Sequence, residues 1–79
     1  MSTRLVTPSR TAVSAGPDGE PSEVGGRAVE AVREEWLVED RWWGRHPVRR
    51  RYFELVLADG RNAVVFRDLE RGGWYAQRA

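Results

Sequence analysis

Apolar and polar positions are patterned most clearly on either side of Asp59-Gly60. Residues 49–58 and 61–68 are rich in β-branched and aromatic side chains, and an Asp-Gly pair between two such runs is the strongest short-range signal for a β-hairpin. A type I′ turn needs positive φ at both central residues, which Gly adopts freely and Asp tolerates. The pattern therefore predicts a hairpin with a two-residue loop.

This loop also predicts the register of the hairpin, because it places Ala58 opposite Arg61. Three further cross-strand pairs would then be chemically matched: Leu55 with Val64, Phe53 with Phe66, and Arg51 with Asp68. Such pairs contribute roughly 0.2–1 kcal/mol each, and a slip of one residue would break them all. Four side chains should then share one packed face: Phe53, Leu55, Val64 and Phe66.

The segments around the hairpin predict a simple antiparallel order. Residues 35–43 are typical of a strand, residues 70–73 of a turn, and residues 74–77 of a short final strand. Residues 27–35 fit either a short helix or an edge strand, and periodicity does not separate the two. We expect a mainly β fold: a single small antiparallel β-meander of three to five strands, with a possible short helix at 27–35.

The N-terminal third differs in composition from the rest of the chain. Residues 1–25 contain no aromatic residue and are rich in Ser, Thr, Gly and Pro, so we expect a disordered tail. Residues 26–79 would then form one small β domain. A core of that size rarely supplies more than ~3–5 kcal/mol, which makes a homodimer or a larger partner a reasonable expectation.

Composition also limits the chemistry and the location. The chain has no cysteine, so it has no disulfide framework and no thiolate metal site. A small secreted domain without disulfides would be unusual, and neither a signal-peptide core nor an apolar membrane-spanning run occurs. We therefore expect a cytoplasmic protein without a membrane-spanning segment.

Catalytic residue combinations are sparse in the predicted domain. The lone histidine, His46, falls in a predicted loop, and no Ser or Thr follows Ser22. The acids have ordinary structural roles available, as a turn residue for Asp59 or as exposed strand positions. No Gly-rich phosphate loop is present. We expect no enzymatic activity and no cofactor.

The charge distribution singles out one segment. Residues 30–40 carry five acids and one Arg, whereas residues 41–51 carry five Arg and no acid. Arginines interleaved with aromatic rings are typical of single-strand nucleic-acid binding, but they also suit an acidic protein partner or the protected edge of a sheet. The candidate binding residues are Trp42, Trp43, Arg45, Arg49, Arg50 and Arg51.

The spacing of aromatic residues resembles a small uncharacterised bacterial domain family. The matching segments are Trp36, Arg41-Trp42-Trp43, Arg50-Arg51-Tyr52-Phe53-Glu54, Asp59-Gly60, Phe66-Arg67-Asp68 and Gly73-Trp74-Tyr75. That family occurs in high-GC bacteria and is connected with the error-prone translesion-synthesis polymerase cassette. The resemblance implies a β-rich module in a DNA-repair context. Together with the absent catalytic set and the small core, it predicts a non-enzymatic accessory module for protein interaction in DNA-damage tolerance, with a DNA-repair polymerase complex as the partner. The alternative from the residues themselves is a nucleic-acid-binding module.

Overall fold

The computed structural model describes residues 8–40 and 47–77, and these residues form seven β-strands and no helix. All strand pairs are antiparallel. The strands are β1 (Ser9–Arg10), β2 (Val13–Ala15), β3 (Pro21–Val24), β4 (Arg27–Asp40), β5 (Val48–Leu57), β6 (Asn62–Asp68) and β7 (Trp74–Gln77). The mainly β prediction is confirmed, with more strands than the three to five expected.

The sheet is curled, with its two edge strands adjacent in sequence. The strand order is β1-β7-β6-β5-β4-β3-β2, and only residues 11–12 separate β1 from β2. The Thr11 N–H donates to the Trp74 carbonyl at 3.1 Å, and the Gly25 N–H donates to the Ala12 carbonyl at 2.8 Å. The segment 9–15 therefore hydrogen-bonds to β7 at one side and to the β3–β4 turn at the other.

Strand structure extends further towards the N terminus than the composition predicts. Residues 8–25, assigned above to a disordered tail, contribute β1, β2 and β3, and the boundary expected at residue 26 falls in the β3–β4 turn. Few of these residues have apolar side chains, so their ordering rests on backbone pairing and on the packing of Val13 and Val24 against the core. Residues 1–7 lie outside the described part of the chain.

The core lies on the inner face of the curled sheet. Five buried residues form one cluster: Val24, Phe53, Leu55, Leu57 and Val65. Partly buried apolar side chains from β2, β4, β6 and β7 pack against it. Phe53, Leu55 and Val65 have no exposed surface, so the central strands β5 and β6 supply the middle of the core.

The turn of the β5–β6 hairpin differs from the predicted one. The Gly60 N–H donates to the Leu57 carbonyl at 2.9 Å, and the Leu57 N–H donates to the Arg61 carbonyl at 2.8 Å. The loop therefore contains three residues, Ala58 to Gly60, rather than two. Gly60 has φ of 90°, the left-handed conformation that closes such a loop with a G1 bulge.

The longer loop shifts the register by one residue, so the predicted pairing is wrong. The observed pairs are Phe53 with Val65, Leu55 with Ala63, Tyr52 with Phe66, and Arg50 with Asp68. Because side chains alternate between faces, Val64 and Phe66 lie on the face opposite Phe53 and Leu55. The register places Val65, which has no exposed surface, on the core face with Phe53, Leu55 and Leu57.

The segments before and after the hairpin also form strands of the sheet. Residues 27–35 belong to the strand β4 and not to a helix, since they pair with β5 through two bulges, at Val29/Ala31 and Val32/Glu34. The final strand, Trp74–Gln77, is confirmed at the predicted residues. No helix of the described residues is long and apolar enough to cross a membrane.

Candidate interaction surface

Four neighbouring strands each place one aromatic ring on the outer face of the sheet. The registers align Trp36 of β4 with Tyr52 of β5, Tyr52 with Phe66 of β6, and Phe66 with Tyr75 of β7. We call these four side chains the aromatic row. Adjacent strands lie about 4.8 Å apart, which is close enough for each ring to contact the next.

The rings of the aromatic row pack in sequence across the sheet. Trp36 and Tyr52 are stacked, with centroids 5.2 Å apart and an interplanar angle of 8°. The centroids of Tyr52 and Phe66 are 4.9 Å apart, and those of Phe66 and Tyr75 are 5.3 Å apart. Each aromatic pair contributes ~0.5–1.5 kcal/mol beyond area burial, so the row stabilises the outer face of the sheet.

Arginines cover part of the aromatic row. The guanidinium carbon of Arg50 lies 4.6 Å from the Phe66 centroid, and that of Arg10 lies 5.9 Å from the Tyr75 centroid. Arg50 also donates from Nη1 to the Tyr52 hydroxyl at 3.4 Å. Phe66 is 2% exposed as a result, whereas Trp36, at the β4 end of the row, is 39% exposed.

Asp68 organises the turn next to Arg50. Its Oδ1 accepts the backbone N–H groups of Glu70 at 2.9 Å and Arg71 at 3.0 Å. Burial by itself raises the pKa of Asp68, but these two hydrogen bonds and the charges of Arg50 and Arg71 outweigh burial, so the pKa lies below its ordinary value. A shallow cavity of about 220 Å³ lies beside these side chains and Phe66.

Two of the three described candidate arginines form ion pairs with acids. Arg49 lies 3.0 Å from Glu39 of β4, measured from Nε to Oε2, and 3.6 Å from Glu70. Arg51 pairs with Glu35 of β4 and donates from Nη1 to the Asp18 carbonyl at 3.3 Å. Surface pairs of this kind contribute little to stability, but they occupy both guanidinium groups.

The structure does not bring the predicted candidate residues onto one surface. Arg50 lies on the outer face with the aromatic row, whereas Arg49 and Arg51 lie on the inner-face side, because adjacent strand residues point to opposite faces. The expected Arg51–Asp68 pair is replaced by Arg50–Asp68. The other candidate residues, Trp42, Trp43 and Arg45, lie outside the described residues.

Sequence reasoning missed the exposure of two side chains on β4. Trp36 is 39% exposed and the adjacent Leu37 is 52% exposed. Both residues lie in the strand predicted over residues 35–43, but the exposure of neither side chain was predicted. Their position in the acidic segment was visible, but exposure depends on which strands flank β4, and the sequence pattern does not specify this.

Among the described residues, no strand lies next to the outer edge of β4 over most of its length. β3 pairs with β4 only through Glu23 with Ala28 and Val24 with Arg27, whereas β5 pairs with β4 as far as Asp40. Within residues 8–40 and 47–77, no strand pairs with the far side of β4 beyond Ala28. Trp36 and Leu37 therefore lie on an unpaired strand edge.

No family model, curated protein or solved structure matches the chain. Within the described ranges, no group of three or more His, Cys, Asp or Glu side chains is arranged to hold a metal ion. The features of this chain that bear on its function are therefore surface features, above all β4 and the aromatic row.

Proposed function

We propose that this chain is a non-enzymatic protein-interaction module whose contact surface is centred on Trp36 of β4. The observation that carries the proposal is the exposure of Trp36 and Leu37, at 39% and 52%, next to a strand edge that pairs with no other strand in the described part of the chain. Tryptophan is enriched among the residues that dominate interface energies. An apolar pair at a sheet edge is otherwise a liability for aggregation.

The packing behind Trp36 makes it a suitable anchor. Stacking on Tyr52 at 5.2 Å holds the indole in one orientation, so little side-chain entropy remains to be lost when a partner binds. The rest of the aromatic row supports Tyr52 in turn. A rigid, half-exposed aromatic ring backed by a packed layer is typical of an interaction anchor.

The alternative, nucleic-acid binding, receives less support from the arginines. Phosphate contacts require guanidinium groups that face one surface, but Arg49 and Arg51 are engaged by Glu39 and Glu35. The rings of the aromatic row pack against one another, and Arg50 covers Phe66, which leaves few ring faces for bases. The acidic segment 30–40 would also repel a phosphate backbone approaching β4.

The family resemblance supports a biological setting for this module. A module of a translesion-synthesis cassette would act in the cytoplasm and bind a component of a DNA-repair polymerase complex. The lack of cysteine suits that compartment. We propose DNA-damage tolerance as the context.

The test is capture of partners by the immobilised full chain from a lysate of a high-GC bacterium, followed by mass spectrometry. The wild type is compared with Trp36→Ala and with Leu69→Ala, which alters an apolar side chain of similar exposure (38%) in the turn after β6. We expect a protein that Trp36→Ala loses and Leu69→Ala retains. Equal capture by all three chains would contradict the proposal.

Two further measurements test the repair context and distinguish protein interaction from nucleic-acid binding. Recovery of a polymerase, clamp or recombinase component supports the repair context, and its absence from the Trp36-dependent set counts against that context. Titration of a labelled single-stranded oligonucleotide at low salt tests the second function. Binding that weakens with salt and on charge reversal of Arg49 and Arg50 would favour nucleic-acid recognition over protein interaction.

A further inference from the structure

The direction of the backbone groups along β4 follows from two hydrogen bonds of β5. The Leu57 N–H donates to Arg61 and the Arg49 carbonyl accepts from Leu69, both on the β6 side. Backbone groups alternate sides along an antiparallel strand. The even-numbered residues between them therefore direct their N–H and C=O groups towards β4: Arg50, Tyr52 and Glu54.

On β4, the cross-strand partners of these residues must point back towards β5. The register pairs Glu34 with Glu54, Trp36 with Tyr52 and Val38 with Arg50. The intervening residues then direct their N–H and C=O groups away from the sheet, towards the unpaired edge: Glu35, Leu37 and Glu39. This edge offers the hydrogen-bonding pattern that an added strand needs.

The outer part of β4 carries acidic side chains at both ends, but no bulge interrupts it. Bulges and charged side chains commonly block such edges, and β4 has bulges only as far as Glu34. From residue 34 to residue 40 the register with β5 is regular. Three consecutive apolar residues, Trp36, Leu37 and Val38, occupy the middle of this stretch.

The charges around this edge select the kind of strand that would bind. Residues 30–40 carry five acids and one Arg. Glu35 and Glu39 are paired with Arg51 and Arg49 of β5, whereas Glu34 faces a second acid, Glu54, across β4 and β5. Like charges in direct opposition are destabilising. Among the described residues, no ion pair reaches Glu34 or Glu54, so a cation from a partner would relieve this repulsion.

We propose that residues 34–40 of β4 bind an extended, basic segment of a partner protein as an additional antiparallel or parallel strand. Basic side chains of that segment would lie on the outer face, near Glu34 and the exposed indole of Trp36. Apolar side chains would lie on the other face, next to Leu37. This inference rests on the proposed function, since it specifies how the interaction module holds its partner.

A second copy of this chain is a poorer occupant of the same edge. Pairing two β4 strands would bring together two segments that each carry five acids and one Arg. Electrostatic complementarity decides partner choice at such surfaces, and this arrangement opposes it. Self-association would differ from binding of a basic segment in its dependence on protein concentration.

The experiment uses the ¹⁵N-labelled full chain and a short capped peptide of alternating Lys and Val. On addition of this peptide, amide hydrogen exchange should slow at the outward-facing residues, Glu35, Leu37 and Glu39, and change little at Trp36 and Val38. The matched peptide of alternating Glu and Val should have no effect. A Lys–Val peptide N-methylated along one edge keeps every charge but loses the main-chain donors, and it should bind at least about tenfold more weakly.

Two variants at one position separate main-chain pairing from side-chain contact. Leu37→Pro removes an outward N–H, and edge strands tolerate proline at such a position. It should lower the affinity for the Lys–Val peptide by about tenfold or more relative to Leu37→Ala. Circular dichroism establishes that both variants are folded. Equal binding by the two variants, or equal binding of the N-methylated peptide, would overturn the proposal.

The remaining outcomes also decide the question. Protection of the same three amides that rises with protein concentration in the absence of peptide would assign the edge to a second copy and overturn the proposal. A partner that depends on Trp36 but binds Leu37→Pro normally would leave the interaction module intact and remove the strand-addition mode. Failure to capture any Trp36-dependent protein counts against the proposed function itself.

Discussion

The guanidinium group of Arg50 covers the ring of Phe66, with its central carbon 4.6 Å from the ring centroid. The pair joins β5 to β6 diagonally on the outer face, next to the Tyr52–Phe66 contact. An arginine thus contributes to keeping an outward-facing phenylalanine at 2% exposure. Packing of the side-chain stem and attraction to the ring act together at this position.

The first prediction concerns the packing of Arg50 on the ring of Phe66. Arg50→Ala should lower the free energy of unfolding by about 1–2 kcal/mol, because it exposes Phe66 and removes a cation–π contact. Arg50→Met should lower the free energy of unfolding by less, since the methionine side chain still packs on the ring. Urea denaturation measures both variants, and an Arg50→Ala protein as stable as the wild type would contradict the packing role.

The second prediction tests the observed register of the β5–β6 hairpin. Val65→Thr should destabilise the fold by about 1–3 kcal/mol, because it places a hydroxyl in the core where Val65 has no exposed surface. The neighbouring Val64→Thr should be close to neutral, since Val64 is on the outer face. Thermal unfolding compares the two, and the reverse order of stabilities would restore the register of the two-residue loop.

The third prediction addresses the turn itself. Gly60 has φ of 90°, and a Cβ built there has no atom within 4 Å, so backbone strain is the only cost of a side chain. Gly60→Ala should lower the free energy of unfolding by roughly 1 kcal/mol. Gly60→Asn should lose less, because Asn tolerates the left-handed region. Equal denaturation midpoints for the two variants would argue against the G1 bulge.

The fourth prediction is a pH dependence. The pKa of Asp68 is lower in the folded chain than its ordinary value, so the carboxylate stabilises the fold above about pH 4, and this contribution is lost as the pH falls through its folded pKa. Asp68→Asn keeps an oxygen acceptor for the turn N–H groups but removes the charge. It should be less stable than wild type at pH 7, with the difference shrinking below about pH 4.

Urea denaturation of both proteins across a pH series measures this difference directly. Asp68→Ala is the control for the hydrogen bonds, because it loses the acceptor as well as the charge and should remain destabilised at every pH. A stability difference between wild type and Asp68→Asn that stays constant from pH 7 to acid would contradict the role of the charge.

The candidate surface was less accessible to sequence reasoning than the fold. The members of the aromatic row come from four strands, and only the cross-strand registers bring Trp36, Tyr52, Phe66 and Tyr75 side by side. The basic segment 41–51 stood out in the sequence, but alternation along β5 separates Arg50 from Arg49 and Arg51. Exposure at Trp36 and Leu37 depends on how soon β3 leaves β4.

Local chemistry in the sequence determined where this chain forms strands around its last two turns. The Asp59-Gly60 pair required a tight hairpin, because glycine adopts a positive φ without a Cβ clash, and the segment 70–73 preceded a final strand at Trp74–Gln77. The β character of residues 48–57 followed from its aromatic and β-branched side chains.

Only the tertiary structure decided the register and which side chains face inward. β5 carries apolar side chains on both faces, Phe53 and Leu55 on one and Tyr52 and Val56 on the other, so alternation alone does not distinguish inside from outside. The curl of the sheet decides which face of β5 is buried. The sheet curls because the segment 9–15 pairs with β7 through β1 and with β3 through β2. The bonds between β1 and β7 join residues from opposite ends of the chain, and no local pattern encodes them.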